Sequence, residues 1–242
     1  VVDASASMQN CFTQLQQHLG ALLSPLQGYV SKVRFGLVAM SCGKQQGTVA
    51  YRFSFAHLIG TDLIFRLYQD NANQKHDNGD WFFTENPKDI ASALARLTPE
   101  GDEDMLLALD VAADLPFGPV SNTKRVIALF SDEPFEEGVS GADSNRMIPA
   151  LQEKLMARHI QLFAAVPNGA GVEELGSTDR SEIELVQGGN GLAGVDFSRL
   201  LGQMGKSISG TSLQSVAEPP YQRALFGQDT WIGLETRPFE GR

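Results

Sequence analysis

The sequence predicts an α/β domain: a doubly wound, mostly parallel central sheet with one antiparallel edge strand and helices on both faces. Three observations carry this reading. Short, nearly continuous apolar runs at "VRFGLVAMSC" (33–42), "KRVIALFSDE" (124–133) and "IQLFAAVP" (160–167) read as strands buried on both faces. Other segments place apolar residues at three- and four-residue steps, the period of a helix with one buried side. The two kinds alternate along the chain, as they do where crossover helices cover a parallel sheet.

Val1 and Val2 form a strand cut short at Asp3; a strand usually runs about five or six residues, so the start reads as the trimmed end of something longer. Phe12, Leu15, Leu19, Leu22 and Leu26 then mark one face of a helix ending near Gly28. After the strand at 33–42, "GTVAYRFSFA" (47–56) alternates more clearly and follows a glycine-containing turn, which predicts an antiparallel hairpin partner at a sheet edge. Residues 57–84 are irregular and include the polar loop "DNANQKHDNGD" (70–80). Asn86-Pro87 opens a helix, with Asn as cap and Pro in the first turn; Ile90, Leu94 and Leu97 form its buried side.

The acidic stretch "PEGDED" (99–104) leads into a helix carrying Met105, Leu106, Leu109, Ala112 and Ala113. The strand at 124–133 breaks into a second acidic loop, "SDEPFEEG". A helix over Pro149–His159 and the strand at 160–167 follow. "IELVQGGNG" reads as a short last strand and turn, and Phe197, Leu200, Leu201, Met204 and Ile208 as one face of a closing helix. Residues 211–242 lack periodicity and are broken by "EPP". The expected organisation is one domain over 1–210 and an extension, 211–242, packed on it.

A chain of 242 residues is long enough to bury a substantial core. Its net charge of −10 argues against a nucleic-acid-binding surface, which needs clustered Lys and Arg, and suits a protein that binds a cation or a basic partner. No apolar run reaches the roughly 18 residues of a membrane span, and no basic leader precedes the first strand. Cys11 and Cys42 fall in a helix and a strand, without zinc or redox spacing; they read as buried reduced thiols, which fits a cytosolic setting. His18, His57, His76 and His159 are scattered, and no pair has metal-ligand spacing.

The chemistry concentrates at two strand ends. Asp3, Ser5 and Ser7 follow the first strand at alternate positions, and Ser131-Asp132 closes the strand "RVIALF". In an open parallel sheet such ends share one rim, where ligands bind. Carboxylate and hydroxyl oxygens suit a hard cation such as Mg²⁺, which takes about six oxygens. The plainer reading of Ser5 or Ser7 is a cap for the helix that follows.

"VVDASASM" resembles the DxSxS motif that opens the metal-ion-dependent adhesion site of von Willebrand factor type A domains, a Rossmann-like fold. The similarity in element order extends over roughly residues 1–210, with "ALD" at 108–110, Asp132 after its strand, and "GG" before the closing helix. It implies one metal site built by Asp3, Ser5, Ser7, Glu103 and Asp132, holding Mg²⁺, or alternatively Mn²⁺ or Ca²⁺. Glu103 stands five residues before Ala108, where many members of the family carry Thr; Asp102 or Asp104 takes that place if the loop register differs. Three anions around one ion would hold it well while weakening its pull on an incoming carboxylate. "MQN" at 8–10 lacks the acidic pair that builds a second, adjacent metal site in some members.

The implied function is a protein-protein interaction module that binds its partner through the cation, with an acidic side chain of the partner completing the metal shell. The alternatives are a scaffold of the same fold with a vestigial metal site and, less favoured, a Mg²⁺-dependent phosphohydrolase. No enzyme is expected, because the sequence carries no GxSxG elbow, no P-loop and no glycine-rich turn after the first strand.

Overall fold

Six strands, β1 (Val2–Asp3), β2 (Val38–Gly43), β3 (Gly47–Arg52), β4 (Arg125–Phe130), β5 (Ile160–Val166) and β6 (Glu182–Leu185), lie in one sheet in the order β3-β2-β1-β4-β5-β6. The pairs β1–β2, β1–β4, β4–β5 and β5–β6 are parallel, and β3 runs antiparallel to β2. The computed structural model describes residues 1–26, 32–43, 47–52, 83–95, 97, 99, 104–135, 144–178 and 181–217, and only the backbone at 41–43, 47–52, 144–146 and 211–217. The polar loop at 70–80, both tryptophans, and the C-terminal residues from 218 onward lie outside the described residues.

The apolar runs become strands because each can bury both faces. β5 is buried at all seven positions, and its residues divide by parity. Leu162, Ala164 and Val166 join one core cluster, while Phe163 and Ala165 join the other. The helices follow this division. α1 (Gln9–Leu23), α2 (Pro87–Leu94) and α6 (Phe197–Ala217) cover one face, contributing Phe12, Leu15, Ile90, Leu94, Leu201 and Met204. α3 (Met105–Ala113), α4 (Ser144–Ala157) and α5 (Val172–Gly176) cover the other, with Met105, Leu109, Leu151, Leu155 and Leu175. The result is a three-layer α/β, Rossmann-like arrangement.

Local chemistry sets several boundaries. Asn86 caps α2 through its side chain, which accepts a hydrogen bond from the Lys88 N–H at 3.1 Å, with Pro87 next in line. α3 is apolar on nearly every side and is accordingly an interior helix. β2 begins at Val38, five residues later than the run at 33–42 predicts. Phe35 instead exchanges both backbone hydrogen bonds with Thr84, at 2.7 and 2.8 Å, in an isolated antiparallel bridge. α4 starts at Ser144, so Pro149 lies inside it rather than at its start. The five-residue α5 was not anticipated from the pattern; it is too short to show a helical period.

α1 and α6 cross in close contact. A Cβ placed on Gly205 would lie 2.4 Å from the Leu22 carbonyl oxygen, so a glycine is required there. Among the described residues no helix is long and apolar enough to cross a membrane.

Candidate functional site

The strand order reverses between β1 and β4. From β1 the chain goes to β2 on one side, and later elements add β4, β5 and β6 on the other. Such a reversal leaves a crevice at the carboxyl ends of the two central strands. The register places Val2 beside Phe130, so the loops that leave β1 at Asp3 and β4 at Ser131 emerge side by side. Asp3, Ser5, Ser7 and Asp132 meet there.

Asp3 is fully buried. Its Oδ1 accepts the Ser5 backbone N–H at 2.7 Å, an Asx-type turn that folds the loop back on its own carboxylate. Its Oδ2 accepts the Ser131 hydroxyl at 3.0 Å, and Ser131 Oγ in turn accepts the Glu133 N–H at 3.0 Å. Ser5 Oγ and Ser7 Oγ lie 3.1 Å apart. The exposed Ser7 donates to Asp132 Oδ1 at 2.9 Å, tying the first loop to the third. Asp132, also fully buried, accepts the Gly191 N–H on Oδ2 at 2.6 Å and the Gly189 N–H on its main-chain oxygen at 2.8 Å.

The electrostatic consequence is specific. Each of the four carboxylate oxygens of Asp3 and Asp132 accepts a hydrogen bond, and every one of these donors is a neutral hydroxyl or amide. Burial pushes the Asp3 carboxyl above the usual carboxylate range; its hydrogen bonds from Ser5 and Ser131 oppose this, and the Asp132 charge adds to it. The buried Cys11 thiol is raised too, by desolvation first and then by the two carboxylates. The site is thus an oxygen-lined, electronegative rim with two buried carboxylates beside the exposed Ser7 hydroxyl.

Glu103, like Asp102, lies outside the described residues. Asp104, 2 % exposed, is the cap of α3: its Oδ1 accepts the Leu107 N–H at 3.0 Å. Its Oδ2 is buried and has no hydrogen-bond partner. Among the described residues no three His, Cys, Asp or Glu side chains gather as a metal-holding group.

Two contributors escaped the sequence reading. Ser131 was visible only as the neighbour of Asp132, yet it is the side chain that braces Asp3. The loop after β6 was read as a turn, yet Gly189 and Gly191 hold Asp132. Gly191 has a φ of +62°, and a Cβ there would sit 2.1 Å from the Ser7 carbonyl oxygen. The run "GGNG" was the available signal for such a close backbone approach.

No protein-family model matches the chain, and no curated protein matches it. Solved structures do. The VWA domain of SpRpn10 superposes with a TM-score of 0.53 at 11 % identity, covering 85 % of this chain and 94 % of that one. A von Willebrand factor type A protein from Catenulispora acidiphila gives 0.49 at 13 % identity, over 88 % of this chain and 41 % of that one. The pilus adhesin SpaC from Lactobacillus rhamnosus GG gives 0.49 at 14 %, over 87 % and 30 %. The likeness to the SpRpn10 domain is a likeness of fold.

Proposed function

Taking the von Willebrand factor type A fold as premise, we propose that this chain is a protein-interaction module whose partner docks on a divalent cation at the β1–β4 rim. The observation that carries the reading is the pair of buried carboxylates, Asp3 and Asp132, joined by Ser5 and Ser7 and served only by neutral donors. Two anions removed from water call for a compensating positive charge. The donor set is all oxygen, which fits Mg²⁺ or Mn²⁺. In this proposal Ser5, Ser7, Asp3 and Asp132 hold the ion, with Glu103 as the second-loop ligand. Asp104 is committed to capping through Oδ1 but has its Oδ2 free of hydrogen bonds, which keeps it, beside Asp102, as an alternative.

The bound ion would supply a Lewis-acidic centre able to take a carboxylate oxygen from a partner protein. The chain's own residues do the rest. The Asx turn orients Asp3, Ser131 braces it, and the Gly191 N–H fixes Asp132. Among the described residues, the groups that hydrogen-bond Asp3 and Asp132 are hydroxyls and backbone amides, a setting that positions the two carboxylates and adds no observation in favour of phosphate hydrolysis.

A second reading has its own observation. Because every oxygen of the two carboxylates already accepts a hydrogen bond, the loops are held without an ion, as a scaffold with a vestigial site would require. Titrating Mg²⁺ and Mn²⁺ into the wild type and an Asp3→Asn variant while following thermal unfolding separates the two. The metal-binding module gains about 2.7 kcal/mol at a hundredfold excess over Kd, a rise in Tm of roughly 5–10 °C that Asp3→Asn abolishes. A wild type whose Tm ignores both ions leaves the scaffold reading standing alone.

A further inference from the structure

β6 closes the sheet at the end opposite β3, and the direction of its backbone can be derived. The Val186 N–H donates to the Val166 carbonyl oxygen on β5. In a parallel pair, residues two apart point their N–H and C=O the same way. Glu184 and Glu182 therefore face β5 with Val186. Ile183 and Leu185 turn their N–H and C=O to the open edge, and among the described residues no hydrogen bond reaches them from that side.

The side chains alternate in the perpendicular direction. Glu182 accepts from the Ser207 hydroxyl and Glu184 from Arg199, so both carboxylates lie on the α6 face and remain partly exposed. Ile183 packs against Gly176 and the core on the α5 face. Leu185 is 56 % exposed, the most exposed large apolar side chain among the described residues.

We propose that the outer edge of β6 is a second docking surface, separate from the β1–β4 rim, which takes an extended segment of a partner protein by strand addition. The segment forms hydrogen bonds with the N–H and C=O groups of Ile183 and Leu185, sets Lys or Arg opposite Glu182, and sets an apolar residue against Leu185. Charge selects this occupant over a second copy of the chain. Glu184 is already paired with Arg199, so the selecting charge is Glu182, whose hydrogen-bond donor is the neutral Ser207 hydroxyl. Pairing β6 with itself would bring this carboxylate of two molecules to one face, and like charges across a strand pair destabilise it. A basic-apolar alternation matches both faces at once.

The test uses a fluorescent ten-residue peptide alternating lysine and valine, with a control in which a central valine is replaced by proline, read by anisotropy against the whole chain. The alternating peptide is expected to bind, and the interrupted one to bind at least about tenfold more weakly. Leu185→Pro deletes an outward N–H without touching the β5 ladder, and should weaken binding by about tenfold with the unfolding curve unchanged. Glu182→Lys should reverse the preference toward an alternating glutamate-valine peptide, which decides the matter even if the proline variant folds poorly. Equal binding of both lysine peptides, indifference to Glu182→Lys, or no binding at millimolar peptide would overturn the proposal. A wild-type dimer that Leu185→Pro dissociates in sedimentation would overturn it in favour of a second copy.

Discussion

Ser131 and Gly191 show how much a single side chain or hydrogen atom decides at the rim. Ser131 Oγ serves two partners, donating to the buried Asp3 and accepting from the partly buried Glu133 N–H. Ser131→Ala leaves both short of a partner and is expected to cost about 1–3 kcal/mol. Gly191 combines a left-handed backbone with a contact no Cβ can enter. Gly191→Ala must shift the loop, and is expected to cost about 2–3 kcal/mol in urea unfolding while also loosening Asp132. A Gly191→Ala protein as stable as the wild type would show that the loop does not hold Asp132 as described. The sequence displayed these residues but not their roles. Asp3 was legible because its spacing from Ser5 and Ser7 is local; Ser131 meets it across 128 positions of chain, a distance over which spacing carries no information.

At the scale of elements, α3 and α4 are joined on their outer side by Lys154, which donates to Asp110 and Asp114, and by Arg158, which also donates to Asp114. Partial burial would lower the Lys154 pKa, but the hydrogen bonds and charges of the two aspartates raise it above 10.5 on balance. A lysine raised by folding contributes stability that is complete below its unfolded pKa and is lost as pH climbs through the higher folded value. Asp114 is nearly half exposed, so the contribution is at most about 1 kcal/mol. Lys154→Met is therefore expected to be slightly less stable than wild type at pH 8, with the difference shrinking as the pH climbs through the raised lysine pKa, as measured by urea midpoints. A penalty that persists at the higher pH would assign Lys154 a packing role instead. The helices and central strands were readable because their period or apolar density is local. The start of β2 was not, since the backbone of Phe35 is taken by Thr84 from a distant segment.

For the whole molecule, the sheet separates two apolar clusters, and the site sits where neither covers the strand ends. Cooperative protection should follow that geometry. In hydrogen exchange, the amides of β5 are expected to open only with global unfolding, being paired on both sides and buried. Along β6 the pattern should alternate: Glu184 and Val186 slow, Ile183 and Leu185 fast. Uniform protection along β6 would mean that its outer edge is already paired, and the second docking surface would lose its basis.

By itself the sequence determined the alternation of strands and helices, the Asn86 cap, and the oxygen-bearing motif at Asp3, Ser5 and Ser7, because each depends on residues a few positions apart. Only the tertiary structure decided that β1 lies between β2 and β4 and that Asp132 is tethered by Gly189 and Gly191. These depend on contacts between segments far apart in the chain. Their energies come from burial and from hydrogen bonds that must be satisfied once water is excluded, and a pattern read along one strand or helix holds no record of which distant segment satisfies them.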